Sequence, residues 1–162
     1  MSIPDTGGVY MVPAFNGLGS PHWDTNAKGL IVGITRGTEK KQIVRAALES
    51  IAFQSADLIQ AMLKDSNIAF NSLHVDGGAS ANNFLMQFQA DILSMPISRP
   101  LVLETTALGA GMLAGLTIGV WDHSDLENGF NLVDQTFEPN ISADQREGLL
   151  ASWRDAVKRS LS

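Results

Sequence analysis

The chain has 162 residues, enough for one domain with a buried core, and its formal charge of −6, with no basic run longer than the pair Lys40 and Lys41, argues against nucleic-acid binding. It contains no cysteine, which excludes disulfides and thiolate zinc sites and is compatible with a reducing cytosol. Charged residues make up 17% of the chain and hydrophobic ones 44%. Ordinary soluble domains carry about 25% charge, so part of this surface is expected to lie against something else.

The first ten residues, MSIPDTGGVY, have neither a basic start nor an apolar core and do not read as a signal peptide. Gly8 to Phe15 is a β-rich run with Pro13 near its end, which suits an edge strand or a strand exit. Asn16 to Lys28 is a long loop of turn formers that nevertheless carries His22 and Trp23. Trp23 is expected to pin this loop onto the core, with direct ligand contact as the alternative. His22, His74 and His123 are far apart and show no metal-ligand spacing, so no metal site is expected.

Gly29 to Thr35, GLIVGIT, is a continuous apolar run consistent with a buried strand. Thr38 is placed to cap the next helix, with Glu39 in its first turn. Val44, Ala47, Leu48, Ile51, Leu58, Ile59 and Met62 then mark one face of a long amphipathic helix from about Glu39 to Lys64.

Leu73 to Leu93, LHVDGGASANNFLMQFQADIL, is the most informative stretch. A short β-type run, Leu73 to Asp76, enters the pair Gly77 and Gly78. A helix follows from about Asn82 to Leu93, with Phe84, Leu85, Phe88, Ile92 and Leu93 at helical spacing. Paired glycines remove Cβ atoms, so a flat or anionic group can approach the backbone, and a helix N-terminus offers N–H groups and a positive dipole end. The same residues also fit a plain βα turn, with Asp76 as turn former and the glycines as hinges.

Ile97 to Arg99 is a short strand candidate between Pro96 and Pro100. Thr105 to Trp121 carries no charge. Its Gly109, Gly111 and Ala114 imitate a GxGxxA dinucleotide fingerprint, but no strand leads into them. Its GxxxG pairs imitate a membrane helix, but the run is short for a bilayer and lacks a basic flank. A buried helix whose glycines face close neighbours is expected. Asp122 to Asn140 reads as a polar connection. Ser142 and Gln145 form a capping-box pattern opening a last helix from Ala143 through Leu149, Leu150, Trp153, Ala156, Val157 and Leu161.

VDGGASANNFLMQFQADIL closely resembles the adenosine-binding segment of the FGGY carbohydrate kinases, and within them of the glycerol kinases. Gly29, Ile31, Gly33 and Ile34, followed by Gln42, Ile43, Ala46, Ala47, Leu48 and Glu49, fit the family's C-terminal signature. That signature describes a scaffold, so Glu49 is given no chemistry. The Asn16 to Lys28 loop and the TALGA run at Thr106 to Ala110 have similar counterparts in glycerol kinases.

The resemblance implies an α/β fold, part of an actin-like, ribonuclease-H-like ATPase domain, with a small mixed sheet flanked by helices. It implies that Gly78 and Asn82, with Gly77 and Asp76 beside them, hold the nucleotide. It implies a kinase using ATP and Mg2+ to phosphorylate glycerol to glycerol 3-phosphate, cytoplasmic and homo-oligomeric as a complete enzyme, with no membrane insertion. Residues 1–162 would be a partial C-terminal domain, lacking the N-terminal domain and the start of the C-terminal one. The family's catalytic Asp, phosphate hairpins and polyol pocket have no counterpart here, so no catalytic residue is assigned and the chain alone is expected to be inactive. A xylulose- or gluconate-type sugar kinase, or a non-catalytic binding module on the same scaffold, are the alternatives.

Overall fold

Phe53 and Trp153 stack with ring centroids 5.1 Å apart and planes within 8°. Phe88 meets Phe53 edge-on at 5.3 Å. Such aromatic pairs add about 0.5 to 1.5 kcal/mol each beyond the area they bury, and these three rings join the helices that form the core. The computed structural model describes residues 3–66, 70–129 and 132–162.

The element order is β1 (Tyr10–Val12), β2 (Leu30–Val32), α1 (Lys40–Ser66), β3 (Leu73–His74), a 3₁₀ turn (Gly78–Ala81), α2 (Asn83–Leu93), β4 (Ile97–Pro100), α3 (Thr105–Thr117), α4 (His123–Gly129), β5 (Val133–Phe137) and α5 (Ala143–Ser160). The expected α/β class holds, but the strands form two small sheets. β1 and β2 pair antiparallel, and β3-β4-β5 form a mixed sheet in which β4 is parallel to β3 and antiparallel to β5. Thus β3, α2 and β4 make one βαβ unit, with Leu73 opposite Ile97.

Several expectations need correction. Most of the apolar stripe expected on α1 is not its inner face: Val44, Ile51, Leu58 and Met62 are exposed and Ala47 and Leu48 half-buried, and of the seven residues Ile59 alone is buried. The inner face carries Ala46, Glu49, Ser50, Ala52, Phe53, Ala56 and Ile59, and α1 packs there against α2 and β1. Small side chains allow the close approach, and Phe53 supplies the filling volume. The Gly29 to Thr35 run yields only a three-residue strand: Leu30 and Val32 pack against the core, so Ile31 between them points away and is exposed, and Ile34 is exposed beyond the strand's end. Thr38 does not cap α1 with its side chain as expected; its hydroxyl accepts from the Thr35 N–H at 2.9 Å.

Asp122 to Asn140 is more than a connection, since it holds α4 and β5. Four of the five β5 residues are exposed and only Phe137 is buried, so the segment carries no apolar alternation; pairing with β4 makes it a strand. α3 is helical as expected but largely exposed, with only Gly115 buried. At Gly115 a Cβ would run into the Trp121 ring, whereas Gly109, Gly111 and Gly119 face open space, so the expected close contacts exist at one glycine. Among the described residues no helix is long and apolar enough to cross a membrane.

The expected capping by Ser142 is present, its Oγ accepting from the Gln145 N–H at 3.2 Å. α5 then buries Leu150, Trp153, Ala156, Val157 and Ser160. Trp23 does not pin the loop between β1 and β2; it is 77% exposed. His22 does so instead, with its Nε2 3.1 Å from Asp57 Oδ2 on α1. Asp24 fastens the same loop to the end of α5, accepting from the Ser162 N–H at 2.8 Å.

Candidate functional site

The chain leaves β3 with the Val75 N–H donating to the Ser98 carbonyl at 3.1 Å, and then turns sharply. Gly77 makes the turn at φ 77° and ψ 169°, a conformation that L side chains rarely adopt. Its N–H donates to the Leu103 carbonyl at 2.8 Å, and the Thr105 hydroxyl donates to the Asp76 carboxylate. The loop is thereby tied to the start of α3.

The Gly77 carbonyl closes the 3₁₀ turn. It accepts from the Ser80 N–H at 3.0 Å and from Ser80 Oγ at 2.7 Å, and Ser80 is the turn's one buried residue. Asn82 follows in an extended conformation and caps α2, its Oδ1 accepting from the Leu85 N–H at 3.2 Å. With Oδ1 engaged in the cap, the exposed Asn82 side chain has its Nδ2 amide as donor for an outside group.

Gly78 differs from Gly77. Its φ lies outside the left-handed region, and a Cβ built on it would meet nothing within 4 Å. Neither the backbone nor any neighbouring side chain of this chain requires a glycine there. Gly78, Ala79, Ala81 and Asn82 are all exposed, so the loop presents an open wall backed by a buried serine.

Beneath this wall sits Arg99 on β4, 8% exposed and overlooked in the sequence because it stands alone between two prolines and reads as an ordinary strand residue. Its Nη1 donates to the Ser80 carbonyl at 3.0 Å and to Asn83 Oδ1 at 2.7 Å. Its Nε and Nη2 both donate to Asp134 Oδ2, at 3.0 and 2.7 Å, and Nη2 also reaches Gln135 Oε1 at 3.2 Å. A guanidinium has five N–H groups, and five bonds are made. The sequence has no Lys between Asp65 and Lys158 and no Arg but Arg99 between Arg45 and Arg146. The wall therefore offers glycine backbone, small side chains and an amide, which suit a neutral base and sugar better than a polyphosphate.

The four residues expected at the site, Asp76, Gly77, Gly78 and Asn82, do come together on one loop, with different tasks. Asp76 and Gly77 are engaged in holding the loop's shape, while Gly78 and Asn82 face outward. No group of three or more His, Cys, Asp or Glu able to hold a metal is present among the described residues.

Several clefts lie elsewhere, two of them along α1. One of about 320 Å³ is lined by His22, Gln54, Asp57 and Trp153 among others. A second, of about 380 Å³, is an apolar groove beside β3 lined by Leu58, Ile59, Met62, Phe70, Leu73 and Met95. Near the N-terminus Arg45 and Glu49 form a largely buried ion pair at 2.6 Å, and burial still pushes the Glu49 carboxyl above the usual carboxylate range.

Comparison with known proteins places this arrangement. The chain is 57% identical over 160 residues to glycerol kinase 2 of Thermotoga maritima, a match covering 98% of this chain and 32% of that protein. Its fold superposes on the crystal structure of Plasmodium falciparum glycerol kinase with ADP at a TM-score of 0.87 and 36% identity, covering 99% of this chain and 32% of that one. A gluconate kinase from Lactobacillus acidophilus shares the fold at a TM-score of 0.68 and 24% identity, covering 96% of this chain and 30% of that one. The chain thus spans about a third of the length of the curated relatives it matches, and its α/β fold is part of the actin-like ATPase architecture of these kinases. The model of the FGGY family of carbohydrate kinases, C-terminal domain, matches residues 2–118, and the chain belongs to that family.

Proposed function

We propose that this chain is the C-terminal, adenosine-binding portion of a glycerol kinase, which transfers the γ-phosphate of ATP to glycerol to give glycerol 3-phosphate. The 57% identity to the Thermotoga enzyme along nearly the whole chain carries this reading. Xylulose and gluconate kinases match at 24% identity or less, which favours glycerol over those sugars. Gly78 and Asn82 contact the adenosine and its nearby phosphate, while Gly77 and Asp76 hold the loop that presents them.

Phosphoryl transfer depends on positioning and on neutralising charge, and it needs a general base, phosphate-cradling loops and a magnesium site in one cleft. Those groups belong to the remainder of the enzyme in this proposal. Magnesium would neutralise the phosphates there, and no residue of this chain is assigned to it. Residues 1–162 act as a partial C-terminal domain, and the complete enzyme is a cytoplasmic homo-oligomer.

The test is a fusion of this chain to the N-terminal two thirds of the Thermotoga maritima relative. Glycerol-dependent ADP formation by the fusion, with none from the chain alone, is expected. A folded fusion that phosphorylates xylulose or gluconate but not glycerol would move the assignment to another branch of the family. Steady glycerol-dependent ADP formation by the chain alone would overturn the division of labour.

A further inference from the structure

We infer that Arg99 is a positioning residue for the nucleotide loop, fixing the direction in which Asn82 presents its amide. The inference rests on the adenosine assignment above. Asn82 lies between the two points that Arg99 holds, the Ser80 carbonyl and the Asn83 side chain, and a single Nη1 atom bonds both. Ser80 in turn fixes the Gly77 carbonyl through its own hydroxyl. Arg99 thus braces the loop from beneath, and its charge does not reach the ligand.

The brace is rigid because the other side of the guanidinium is also anchored. Nε and Nη2 grip one oxygen of Asp134 on β5, Nη2 reaches Gln135, and the Phe137 ring lies 5.3 Å from the guanidinium carbon. A planar group fixed on one edge transmits its orientation to whatever is bonded on the other. A lysine has no such fork and cannot span Asp134 and the loop together. β4 and β5 carry no ligand-facing residue in this account, yet they set the loop's geometry through this one side chain.

Two readouts test the inference. The first is hydrogen exchange of the amides of residues 77–86 in the nucleotide-free chain. The second is the split between the Michaelis constants for ATP and glycerol in the Thermotoga fusion. Asn83→Ala removes an acceptor from Arg99 at an exposed position, and Asn83→Asp restores one. Arg99→Lys removes the fork itself.

Arg99→Lys and Asn83→Ala are expected to speed exchange in residues 77–86 and to raise KM for ATP, about tenfold for Arg99→Lys and less for Asn83→Ala, with KM for glycerol within about twofold. Asn83→Asp is expected to restore both readouts. Unchanged exchange in the loop for both variants would overturn the inference. So would faster exchange with an unchanged KM for ATP, and Gly78→Val then shows which part failed. If Gly78→Val raises KM for ATP, the loop is a nucleotide site that does not need Arg99; if it does not, the adenosine assignment itself is wrong. If Arg99→Lys fails to fold, Asn83→Ala against Asn83→Asp decides on the same two readouts.

Discussion

Trp153 on α5 donates its indole N–H to Asp57 on α1 at 2.8 Å, across 96 residues of sequence. The same carboxylate oxygen meets His22 Nε2 at 3.1 Å, so one acidic side chain fastens the last helix and the long N-terminal loop to α1. Trp153→Phe keeps a ring to stack on Phe53 but removes this donor. Loss of a hydrogen bond to a part-buried charge should cost about 1 to 3 kcal/mol, measured by urea denaturation. A change below about 0.5 kcal/mol would mean that the stack alone holds α5.

The orientation of α1 gives a second expectation. Phe53→Ala should destabilise the chain by about 3 to 5 kcal/mol, because it empties the centre of the aromatic cluster. Ile51→Gln, two positions away and 42% exposed, should change stability by no more than about 0.5 kcal/mol. Denaturation midpoints of the two variants check this, and the reverse ranking would mean that the bulky stripe is the inner face.

Two carboxylates give the chain a pH dependence of opposite signs. The Ser162 N–H, followed by the Asn26 N–H, holds Asp24 below the usual carboxylate range. Its contribution is therefore present above the unfolded value of about 3.9 and lost as pH falls through the folded value. Burial raises Glu49, with Arg45 opposing, so its contribution is present below the unfolded value of about 4.3 and lost as pH rises through the folded value. In urea titrations from about pH 3 to pH 7, Asp24→Asn should flatten the acid limb. Glu49→Gln should remove a decline on the rising side, and a parent-like profile in either variant would refute its assignment.

How much of this was legible depended on whether a residue's partners lie nearby in sequence. α2 could be read because Leu85, Phe88, Ile92 and Leu93 recur at helical spacing and its cap, Asn82, is local. The last helix could be read from Ser142 for the same reason. β5 could not, since Val133 to Thr136 are exposed and become a strand only by pairing with β4. The spacing specifies α1 as a helix but only partly its inner face, because bulk does not mark burial there: of the bulky stripe Ile59 is buried, while Ala46, Ser50, Ala52 and Ala56 form much of the contact surface. Trp23 looked like an anchor by its size, whereas the anchor is the smaller His22, which finds a carboxylate 35 residues away. Asp76, Gly77, Gly78 and Asn82 are legible as one turn-and-cap pattern because they lie on one loop. Arg99 was not, because its role depends on Ser80, Asn83 and Asp134 meeting around it.

Asn82 serves both the cap of α2 and the proposed ligand contact, and two substitutions separate them. Asn82→Ala removes both and should lower stability by about 1 kcal/mol as well as raise KM for ATP in the Thermotoga fusion. Asn82→Asp keeps a good capping oxygen but lacks the amide donor, so it should hold the melting temperature and still raise KM for ATP. If Asn82→Asp left KM for ATP at the parent value, the amide would be no part of the site.

If adenosine lies on the outward face of Gly78, KM for ATP against KM for glycerol in the Gly78→Val fusion reads it out. A Cβ at this position would meet no atom within 4 Å beyond its chain neighbours, and the backbone there is not left-handed, so the fold is expected to tolerate the valine, with the melting temperature as the control. KM for ATP is expected to rise by at least about tenfold, with KM for glycerol near the parent value. A folded Gly78→Val enzyme with both constants at parent values would contradict it and return Gly77 and Gly78 to an ordinary βα turn.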